Sequence, residues 1–406
     1  MFDWFGADSW REIAPLGIAG LVVWALWLYR AISSRFAKAI ENDFRTTTSV
    51  VVPSYREDPE ILLMCLETWL SQDPDEVIIV VDIHDLACHE ALRKVQDRRL
   101  NMIIFPHEGK RSALGVGIRS ATSEIVILSD SDTLWTDGLL ANVQKPFVDP
   151  MVGAVGTQQN VYQRRTSVWR RIADWMVNLR YYDYVPAMGR KGAVICVSGR
   201  TAAYRRSVIL PVLPNLEYEF FLGKKCNAGD DGRLTWLVLG SGYKTVHQRS
   251  AKALSMFPDT FRAFIKQRVR WSRNSARTYL TAIWRGWLWR VPFVSKVTVL
   301  QILLTPVTMG LALGYLFVRL EPTWHGLGVA GAWVLVGRMI RSYSNLRRHP
   351  FDIFILPLYA VVVIVVALPV KAYALVTMNK QGWLTRTAAS SGGEGQTAAT
   401  LVAEAV

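Results

Sequence analysis

The sequence predicts a soluble α/β domain joined to α-helical transmembrane and interfacial segments. Short apolar runs alternate with helix-length segments in the middle of the chain, whereas long uncharged apolar stretches occupy both ends. Lys and Arg number 47 against 33 Asp and Glu, and the net charge of +14 is concentrated between and beside the apolar stretches. With 51% hydrophobic residues over 406 positions, the chain is too apolar to be disordered or fibrous.

Residues 1–45 are predicted to form a transmembrane helix and a linker. Residues 13–29 carry no charge and are followed by Arg30, Arg35 and Lys38, a bias that places the N-terminus outside and the rest in the cytosol. The run is slightly shorter than the roughly 20 residues that cross a bilayer. A cleaved signal peptide is the alternative, but acidic residues precede the run, whereas a signal peptide starts with basic ones.

Residues 46–259 are predicted to form a cytosolic α/β domain. Apolar runs at residues 49–52, 77–81 and 125–128 suit strands buried on both faces of a parallel sheet. Two helix-length segments between them, 59–71 and 110–121, complete the alternation of strands and helices. Each run ends in polar residues, at the sheet edge where such domains bind ligands. The four cysteines have neither metal-site nor disulfide spacing, which fits a reducing cytosol.

Residues 260–293 form a basic, tryptophan-rich stretch that is predicted to lie as amphipathic helices at a membrane surface. A nucleic-acid-binding patch is the alternative. It is disfavoured because two apolar spans, 297–318 and 324–340, follow at once, and no nucleic-acid partner is expected.

Residues 294–387 are predicted to form a transmembrane and re-entrant region. The last apolar stretch, 351–378, contains Pro357 and Pro369 and has cations after it. A re-entrant or interfacial element with both ends in the cytosol is therefore expected. The Gly-, Ser-, Thr- and Ala-rich tail, residues 388–406, is expected to be disordered.

Two carboxylates, Asp130 and Asp132, follow the third predicted strand. Acids two residues apart at a strand end can hold Mg²⁺ or Mn²⁺, which prefer oxygen ligands and often bridge carboxylates to substrate phosphates. Solvated loop acids are the commoner explanation for such a triplet taken alone.

A second acidic pair, Asp230 and Asp231, precedes an apolar run at residues 234–239 that suits a helix. A carboxylate at a helix start is stabilised by the helix dipole and can accept a proton as a general base. An ordinary N-cap is the alternative explanation for Asp231.

Further along, Gln267, Arg270 and Trp271 are spaced to share one helical face. An arginine there can clamp a pyrophosphate, and a tryptophan can stack on a sugar. A snorkelling interfacial helix explains the same composition but not the glutamine.

In combination and order, these motifs resemble those of the processive family 2 glycosyltransferases of membranes. The resemblance covers residues 49–386 and is greatest to the hyaluronan and chitin-oligosaccharide synthases. It implies a GT-A domain that transfers sugars from a UDP-sugar to a growing polysaccharide, which leaves through the membrane spans of the same protein.

The resemblance also implies a role for individual residues. On the donor and nucleotide side it implies Pro53, Tyr55, Asp82, Lys110, Arg111, Asp130, Gln267, Arg270, Trp383 and Arg386. On the acceptor side it implies Ser198, Gly199, Arg200, Asp230 and Trp271. Asp231 matches the general base, and Asp132 matches the direct metal ligand, with Asp130 beside it. Arg200 stands where the family has proline, so the identity of the product stays open.

The function expected from these roles is processive, inverting polymerisation, with N-acetylglucosamine as the donor sugar and Mg²⁺ or Mn²⁺ as cofactor. The protein is expected in the plasma membrane, among lipids, as a multi-pass protein with a cytoplasmic catalytic domain. A complete channel would need a second copy or a partner, because few spans follow that domain. Transfer of one sugar to a lipid, and a transporter or scaffold with a degenerate domain, are the alternatives.

Overall fold

A computed structural model of the chain describes residues 22–106, 108–319 and 324–380. Within these ranges, an eight-stranded mixed sheet separates two hydrophobic cores. Side chains alternate between the cores along the central strands, so that Val51 lies in one core while Val50 and Val52 lie in the other. This arrangement confirms the predicted α/β domain.

The first half of the sheet is built from strand–helix units in chain order. After helix α1 (residues 22–35), the elements are β1 (Thr48–Ser54), α2 (Pro59–Leu70), β2 (Glu76–Asp82), α3 (Leu86–Arg93), β3 (Leu100–Phe105), α4 (Lys110–Ser120) and β4 (Ile125–Ser129). β1 lies between β2 and β4 and is parallel to both, and β3 is parallel to β2. The three predicted strands and two predicted helices are confirmed. β3 escaped prediction because it is an edge strand with half-buried side chains.

The second half of the sheet departs from the predicted parallel arrangement. It contains β5 (Thr133–Trp135), α5 (Leu139–Gln144), β6 (Val152–Val161), α6 (Val168–Leu179), α7 (Val185–Gly189), β7 (Thr201–Arg205), α8 (Arg206–Ile209), α9 (Leu213–Glu217), the hairpin β8 (Phe220–Phe221) and β9 (Lys224–Lys225), α10 (Asp230–Gly240) and β10 (Lys244–Ser255). The strand order is β3-β2-β1-β4-β7-β6-β10-β5. β7 runs antiparallel to β4 and β6, and β10 runs antiparallel to β5. The predicted strands β1, β2 and β4 are parallel as expected, and the sheet as a whole is mixed because the short, buried strand β7 runs antiparallel between its two halves.

From Phe261 onward, the described residues are mostly helical. Its elements are α11 (Phe261–Trp284), α12 (Phe293–Arg319), α13 (Trp324–Arg341), α14 (Tyr343–Leu346), α15 (Leu356–Val361) and α16 (Ala367–Val376). Among the described residues, two stretches are long and apolar enough to cross a membrane by length and composition, Phe293–Leu311 and Pro350–Val376. α13, which was predicted to span, is not one of them.

The prolines of the last apolar stretch do not break its helix. Pro357 lies in the first turn of α15, where a helix tolerates the missing N–H, and Pro369 is the third residue of α16. A π-helical turn, Val362–Val366, joins the two helices. The segment therefore stays helical through both prolines, with a change of helical geometry just before Pro369, and the re-entrant path stays a prediction.

Helix α1 is anchored by a buried arginine. The Arg30 side chain is 2% exposed and donates a hydrogen bond to Thr298 Oγ1 of α12 at 3.3 Å. Its guanidinium also lies 4.8 Å from the ring centre of Tyr184. Most of the predicted span at residues 13–29 lies outside the described residues. Arg30, which directly follows that span, packs helix α1 against Thr298 and Tyr184.

Helix α11 packs between the α/β domain and α16. Two of its basic side chains bind the C-terminal end of α16: Arg273 Nε donates to Thr377 Oγ1 at 3.0 Å, and Arg277 Nη1 donates to the Met378 carbonyl at 2.7 Å. Cations at a helix C-terminus are favoured by the helix dipole. The basic stretch therefore holds a candidate membrane segment against the α/β domain.

Candidate active site

A cavity of about 420 Å³ joins the α/β domain to helix α11. Its walls come from the ends of β4 and α6, the loop before β7, the start of α10 and the face of α11. Of the predicted site residues, those that line it are Lys110, Asp130, Asp132, Ser198, Gly199, Arg200, Asp230, Asp231, Gln267, Arg270 and Trp271. Motifs far apart in the chain thus converge on one site, which the sequence order alone cannot impose.

Lys110 connects the two acidic pairs. Its Nζ lies 2.7 Å from Asp130 Oδ1 and 3.0 Å from Asp230 Oδ2. Burial alone would lower the pKa of Lys110, but the charges of Asp130 and Asp230 raise it above its ordinary value. Conversely, burial would raise the pKa of Asp230, and Lys110 lowers it. The lysine therefore stays charged and ties the end of β4 to the start of α10.

Asp132 and Asp130 are the carboxylates that can hold a divalent cation here. Within the described ranges, no group of three or more His, Cys, Asp and Glu side chains is arranged as a metal site. Mg²⁺ commonly binds one or two carboxylates and completes its shell with water and substrate phosphates. Because Lys110 occupies one oxygen of Asp130, the pair fits a cation held mainly by Asp132 and delivered with a diphosphate.

Asp231 is the second residue of α10. Gly229, with φ of 80°, takes the N-cap position, so the interpretation of Asp231 as that cap is wrong. The Asp231 Oδ1 atom accepts a hydrogen bond from the Gly232 amide at 2.7 Å, and Oδ2 accepts one from the Cys196 thiol at 3.6 Å. The helix start stabilises the ionised carboxylate, which is the form that a general base requires.

The Asp231 carboxylate also affects the pKa of the Cys196 thiol. Burial and the charge of Asp231 raise the pKa of the Cys196 thiol to about 12. The thiol therefore stays protonated near neutral pH and acts as a hydrogen-bond donor to Asp231, not as a nucleophile.

The face of α11 presents unpartnered polar atoms. Gln267 Oε1 and Arg270 Nε are buried and have no hydrogen-bond partner. Both residues line the cavity, so these atoms can hydrogen-bond a molecule bound there. Both side chains are therefore available for an incoming substrate.

The loop before β7 lies against the acidic helix start. A Cβ atom added at Gly199 would lie 3.3 Å from Asp230 Oδ2 and 3.3 Å from Asp231 Cβ, so glycine allows this close approach. The next residue, Arg200, places its guanidinium 3.9 Å from the ring centre of Phe257 and 4.9 Å from that of Trp271. These contacts compete with the sugar stacking expected at Trp271.

Three predicted donor residues lie near the cavity without lining it. Asp82 ends β2 and accepts a hydrogen bond from the His84 amide at 3.0 Å. Pro53 is in β1, and Tyr55 follows that strand. Since β1, β2 and β4 are parallel, the three residues share the sheet edge that carries Asp130.

Arg111 does not take the predicted nucleotide contact. It is 4% exposed, and its guanidinium donates to Glu219 Oε2 at 2.7 Å and to the carbonyls of Ala228 and Gly229 at 2.9 and 3.2 Å. Arg111 therefore positions the loop that leads into Asp230. Trp383 and Arg386 lie outside the described residues.

Several cavity residues were missed by sequence reasoning. They include Arg180, Tyr181, Cys196, Arg268 and Tyr279. Arg268 sits inside the recognised motif, so its neighbours could have drawn attention to it. Arg180 lies on a π-helical turn after α6, Arg180–Tyr184, which no local pattern indicates.

Comparisons with known proteins agree with this geometry. Residues 45–274 match the family described as "Glycosyltransferase like family 2". An N-acetylglucosaminyltransferase of Rhizobium leguminosarum bv. viciae is 30% identical over 369 residues, covering 87% of this chain and 85% of that protein. An N-acetylglucosaminyltransferase of Rhizobium meliloti (strain 1021) is 28% identical, with 86% and 84% covered.

A solved structure shares the fold. The mannosyltransferase PcManGT from Pyrobaculum calidifontis, in complex with GDP-Man and Mn²⁺, superposes with a TM-score of 0.62 at 22% identity, covering 87% of this chain and 98% of that one. The α/β domain accordingly has the GT-A fold, and the family and relatives make the protein a hexosyltransferase. The chain belongs to the family 2 glycosyltransferases.

Proposed function

We propose that this protein is a processive, inverting glycosyltransferase that polymerises N-acetylglucosamine-containing chains from UDP-sugars and extrudes them across the plasma membrane. The observation that carries the proposal is the convergence of Asp132, Asp231 and Arg270 on one cavity. These are the three kinds of group that direct sugar transfer requires: a metal ligand, a base and a diphosphate clamp.

In the proposed reaction, the acceptor hydroxyl attacks the anomeric carbon of the donor from the face opposite the leaving group. The bond from that carbon to the UDP oxygen breaks as the new glycosidic bond forms, and the configuration inverts. Asp231 takes the proton of the hydroxyl, a contribution of about 10²- to 10⁴-fold in rate. UDP leaves as an anion.

Negative charge develops on the diphosphate of UDP as it leaves, and nearby cations stabilise that charge. Arg270 provides a planar guanidinium with an unpartnered donor, and Lys110 provides a fixed ammonium group. A divalent cation, Mg²⁺ or Mn²⁺, held by Asp132 would supply further positive charge beside the diphosphate. Gln267 lies buried on the same helical face as Arg270 and can hydrogen-bond the donor.

The donor and acceptor are proposed from the relatives and the motifs. The relatives' names favour a UDP-linked N-acetylglucosamine donor, and the GDP-Man and Mn²⁺ of the solved mannosyltransferase favour a nucleotide sugar with a divalent cation. The donor set would include Pro53, Tyr55 and Asp82 at the sheet edge, together with Trp383 and Arg386.

Processivity and extrusion are supported by the position of the cavity. Helix α11 carries Gln267, Arg270 and Trp271 and also packs against α16, which belongs to a stretch long enough to cross a membrane. A polymer that leaves the site would start beside apolar helices. We propose a cytoplasmic catalytic domain on a multi-pass membrane protein, with a second copy or a partner protein completing the channel.

The test is a panel of radiolabelled UDP-sugars, alone and in pairs, given to the purified protein with Mn²⁺ or Mg²⁺. We expect UDP release with UDP-N-acetylglucosamine and a polymer that linkage-specific hydrolases digest. A lipid-linked monosaccharide as the sole product would exclude polymerisation. No UDP release with any UDP-sugar would instead favour a scaffold.

A further inference from the structure

The β8–β9 hairpin between α9 and α10 exposes apolar side chains. Its two strands are joined by a turn of two residues, Leu222 and Gly223. Leu222, Phe220 of the first strand and Tyr218 just before it are each between 60% and 67% exposed. Exposed apolar side chains that stand together mark sites of contact with a protein or a membrane. The hairpin therefore presents an apolar surface that the described part of the chain leaves uncovered.

The tip of the hairpin has a strained backbone. Leu222 has φ of 48° and Gly223 has φ of 76°, so both residues lie in the left-handed region. Glycine adopts that region readily, whereas leucine rarely does. Asn and Asp are the usual residues before the glycine of such a turn. The turn itself therefore does not favour Leu222, and its exposed side chain fits a contact outside the fold.

The charges beside this apolar surface are basic. Lys224 and Lys225 are exposed, and Lys225 Nζ lies 5.4 Å from the ring centre of Tyr218. The two acids nearby, Glu217 and Glu219, have largely buried side chains that form ion pairs with arginines of the domain. The exposed charge of residues 218–225 is therefore positive, as a partner with anionic groups requires.

The hairpin contacts the C-terminal end of α11. Phe221 stacks on Trp284, with ring centres 5.4 Å apart and ring planes inclined by 15°. Trp284 is itself 63% exposed, and Arg285 and Arg290 after it are exposed too. Aromatic and apolar side chains beside cations are typical of segments that lie at a membrane surface. The hairpin patch is the surface formed by Tyr218, Phe220, Leu222, Lys224, Lys225 and Trp284.

The hairpin patch lies on the side of the sheet that carries the candidate membrane segments. Val294 of α12 and Tyr359 of α15 belong to the same hydrophobic core as Leu216 of α9 and Leu234 of α10. Because α9 and α10 flank the hairpin, the hairpin is on this side as well. Helices α2 and α3 pack into the other core, across the sheet.

The position of Trp284 along α11 places the patch near the ends of both segments. Arg277, which binds the Met378 carbonyl after α16, precedes Trp284 by about two helical turns, or about 10 Å. The other candidate segment begins at Phe293, shortly after Trp284 in the chain. Trp284 therefore lies between the point where one candidate segment ends and the point where the other begins.

We propose that the hairpin patch binds the cytosolic surface of the bilayer. Phe220, Leu222 and Trp284 lie among the lipid headgroups, and Lys224 and Lys225 contact anionic lipid phosphates. A polybasic segment is attracted to the anionic cytosolic leaflet, and apolar side chains add to its binding. This inference rests on the proposed membrane location but not on the proposed sugar transfer.

The hairpin is also connected to the candidate active site. Glu219, beside its first strand, pairs with Arg111, and Arg111 donates to the carbonyl of Gly229 at the N-cap of α10. A hairpin held at the bilayer therefore holds the start of α10, and Asp231 with it, at a fixed height above the membrane surface.

The test attaches an NBD fluorophore to cysteines introduced into the full chain, which is reconstituted in lipid nanodiscs. Leu222→Cys labels the patch. Leu311→Cys, exposed on α12, is the membrane reference, and Leu86→Cys, exposed on α3 across the sheet, is the control. Protein without an introduced cysteine gives the background from native thiols. Lipids that carry a spin label on the acyl chain should quench the first two labels but not the third.

Charge variants test the lysines. Quenching of the Leu222→Cys label should be stronger in discs that contain phosphatidylglycerol than in discs of phosphatidylcholine alone. Lys224→Gln and Lys225→Gln should each lower the ratio of docked to undocked hairpins about fivefold in the anionic discs. Lys94→Gln, at an exposed position after α3, is the matched control and should leave the ratio unchanged. Thermal unfolding of each variant checks that it folds.

Quenching at Leu311→Cys without quenching at Leu222→Cys would overturn the inference and leave the proposed membrane location intact. Absence of quenching at both would contradict the inference and the membrane location together. A blue shift of the Leu222→Cys label without quenching by lipid would place the hairpin against protein, such as a second copy, and would also overturn the inference. Equal quenching in neutral and anionic discs would refute the role of the lysines. None of these readouts depends on sugar transfer.

Discussion

The proposed base owes its chemistry to two local contacts. Asp231 sits at the second position of α10, where helix amides and the dipole favour a negative charge, and its two oxygens accept from Gly232 and Cys196. Its neighbour Asp230 is bound by Lys110 instead. Adjacent aspartates therefore have different roles, one structural and one proposed as catalytic.

Replacing the base carboxylate tests this division. Asp231→Asn should lower kcat by about 10²- to 10⁴-fold with little change in the donor KM, because an amide cannot take the acceptor proton. UDP release measures the effect. Asp259→Asn, at an exposed position outside the cavity, is the control and should match the wild type. An Asp231→Asn variant as active as the wild type would refute the assignment.

The Cys196 thiol reports on the charge of Asp231 independently of turnover. Because burial and Asp231 raise the pKa of Cys196 to about 12, its thiolate fraction is small at pH 8 and grows about tenfold per pH unit up to that value. Alkylation of Cys196, followed by peptide mass spectrometry, should show this slope. Asp231→Asn removes the negative charge, lowers the pKa and should speed alkylation at a fixed pH. An unchanged rate would show that the two groups do not interact.

At the scale of elements, a buried ionic cluster joins α6 to the start of the last apolar stretch. Asp352 is 1% exposed and accepts hydrogen bonds from Arg164 Nη2 at 2.5 Å, Arg171 Nη2 at 2.8 Å and Asn345 Nδ2 at 3.0 Å. Arg164 Nε also pairs with Asp174 of α6 at 2.7 Å. Since α6 leads into the cavity wall at Arg180, the cluster fixes that wall relative to a candidate membrane segment.

Removing the central acid should therefore destabilise the protein. Asp352→Ala removes the shared partner of Arg164, which keeps its pair with Asp174, and of Arg171, which is partly exposed. Losing these charge-assisted hydrogen bonds should cost about 1–3 kcal/mol in the free energy of unfolding. Asp149→Ala removes the partner of Lys244 at an exposed pair and should cost about 0–1 kcal/mol. Thermal and denaturant unfolding in detergent compare the two. Equal losses would mean that the cluster is not a structural joint.

At the scale of the whole molecule, the cavity lies where the α/β domain, helix α11 and the apolar helices meet. The sheet edge supplies acids, and α11 supplies basic and aromatic side chains. Because both the α/β domain and α11 line the cavity, the site is complete only when the helices pack against the domain. Activity should therefore depend on the intact chain in a membrane or a detergent micelle.

Removing the metal distinguishes a cation that binds with the substrate from one that stabilises the fold. The proposed cation binds Asp132 together with the donor diphosphate, so a chelator should abolish UDP release while leaving the unfolding temperature of the substrate-free protein unchanged. Mn²⁺ or Mg²⁺ should restore activity. Adding UDP together with Mn²⁺ should raise the unfolding temperature more than either alone, because the cation binds with the diphosphate. Loss of folding with the chelator would instead indicate a structural metal.

Local patterns were sufficient for much of this protein. Hydrophobic runs predicted β1, β2 and β4, because such runs depend on neighbouring residues alone. The expectation that the acids, the arginine and the tryptophan share one site came from the family resemblance of their motifs taken together. The tertiary structure decided the rest: the antiparallel β7, the use of Arg111 to hold a loop, and the entry of Arg180 and Arg268 into the cavity. Those features depend on which distant segments pack together, and the free energy of such packing is not encoded in any short stretch of sequence.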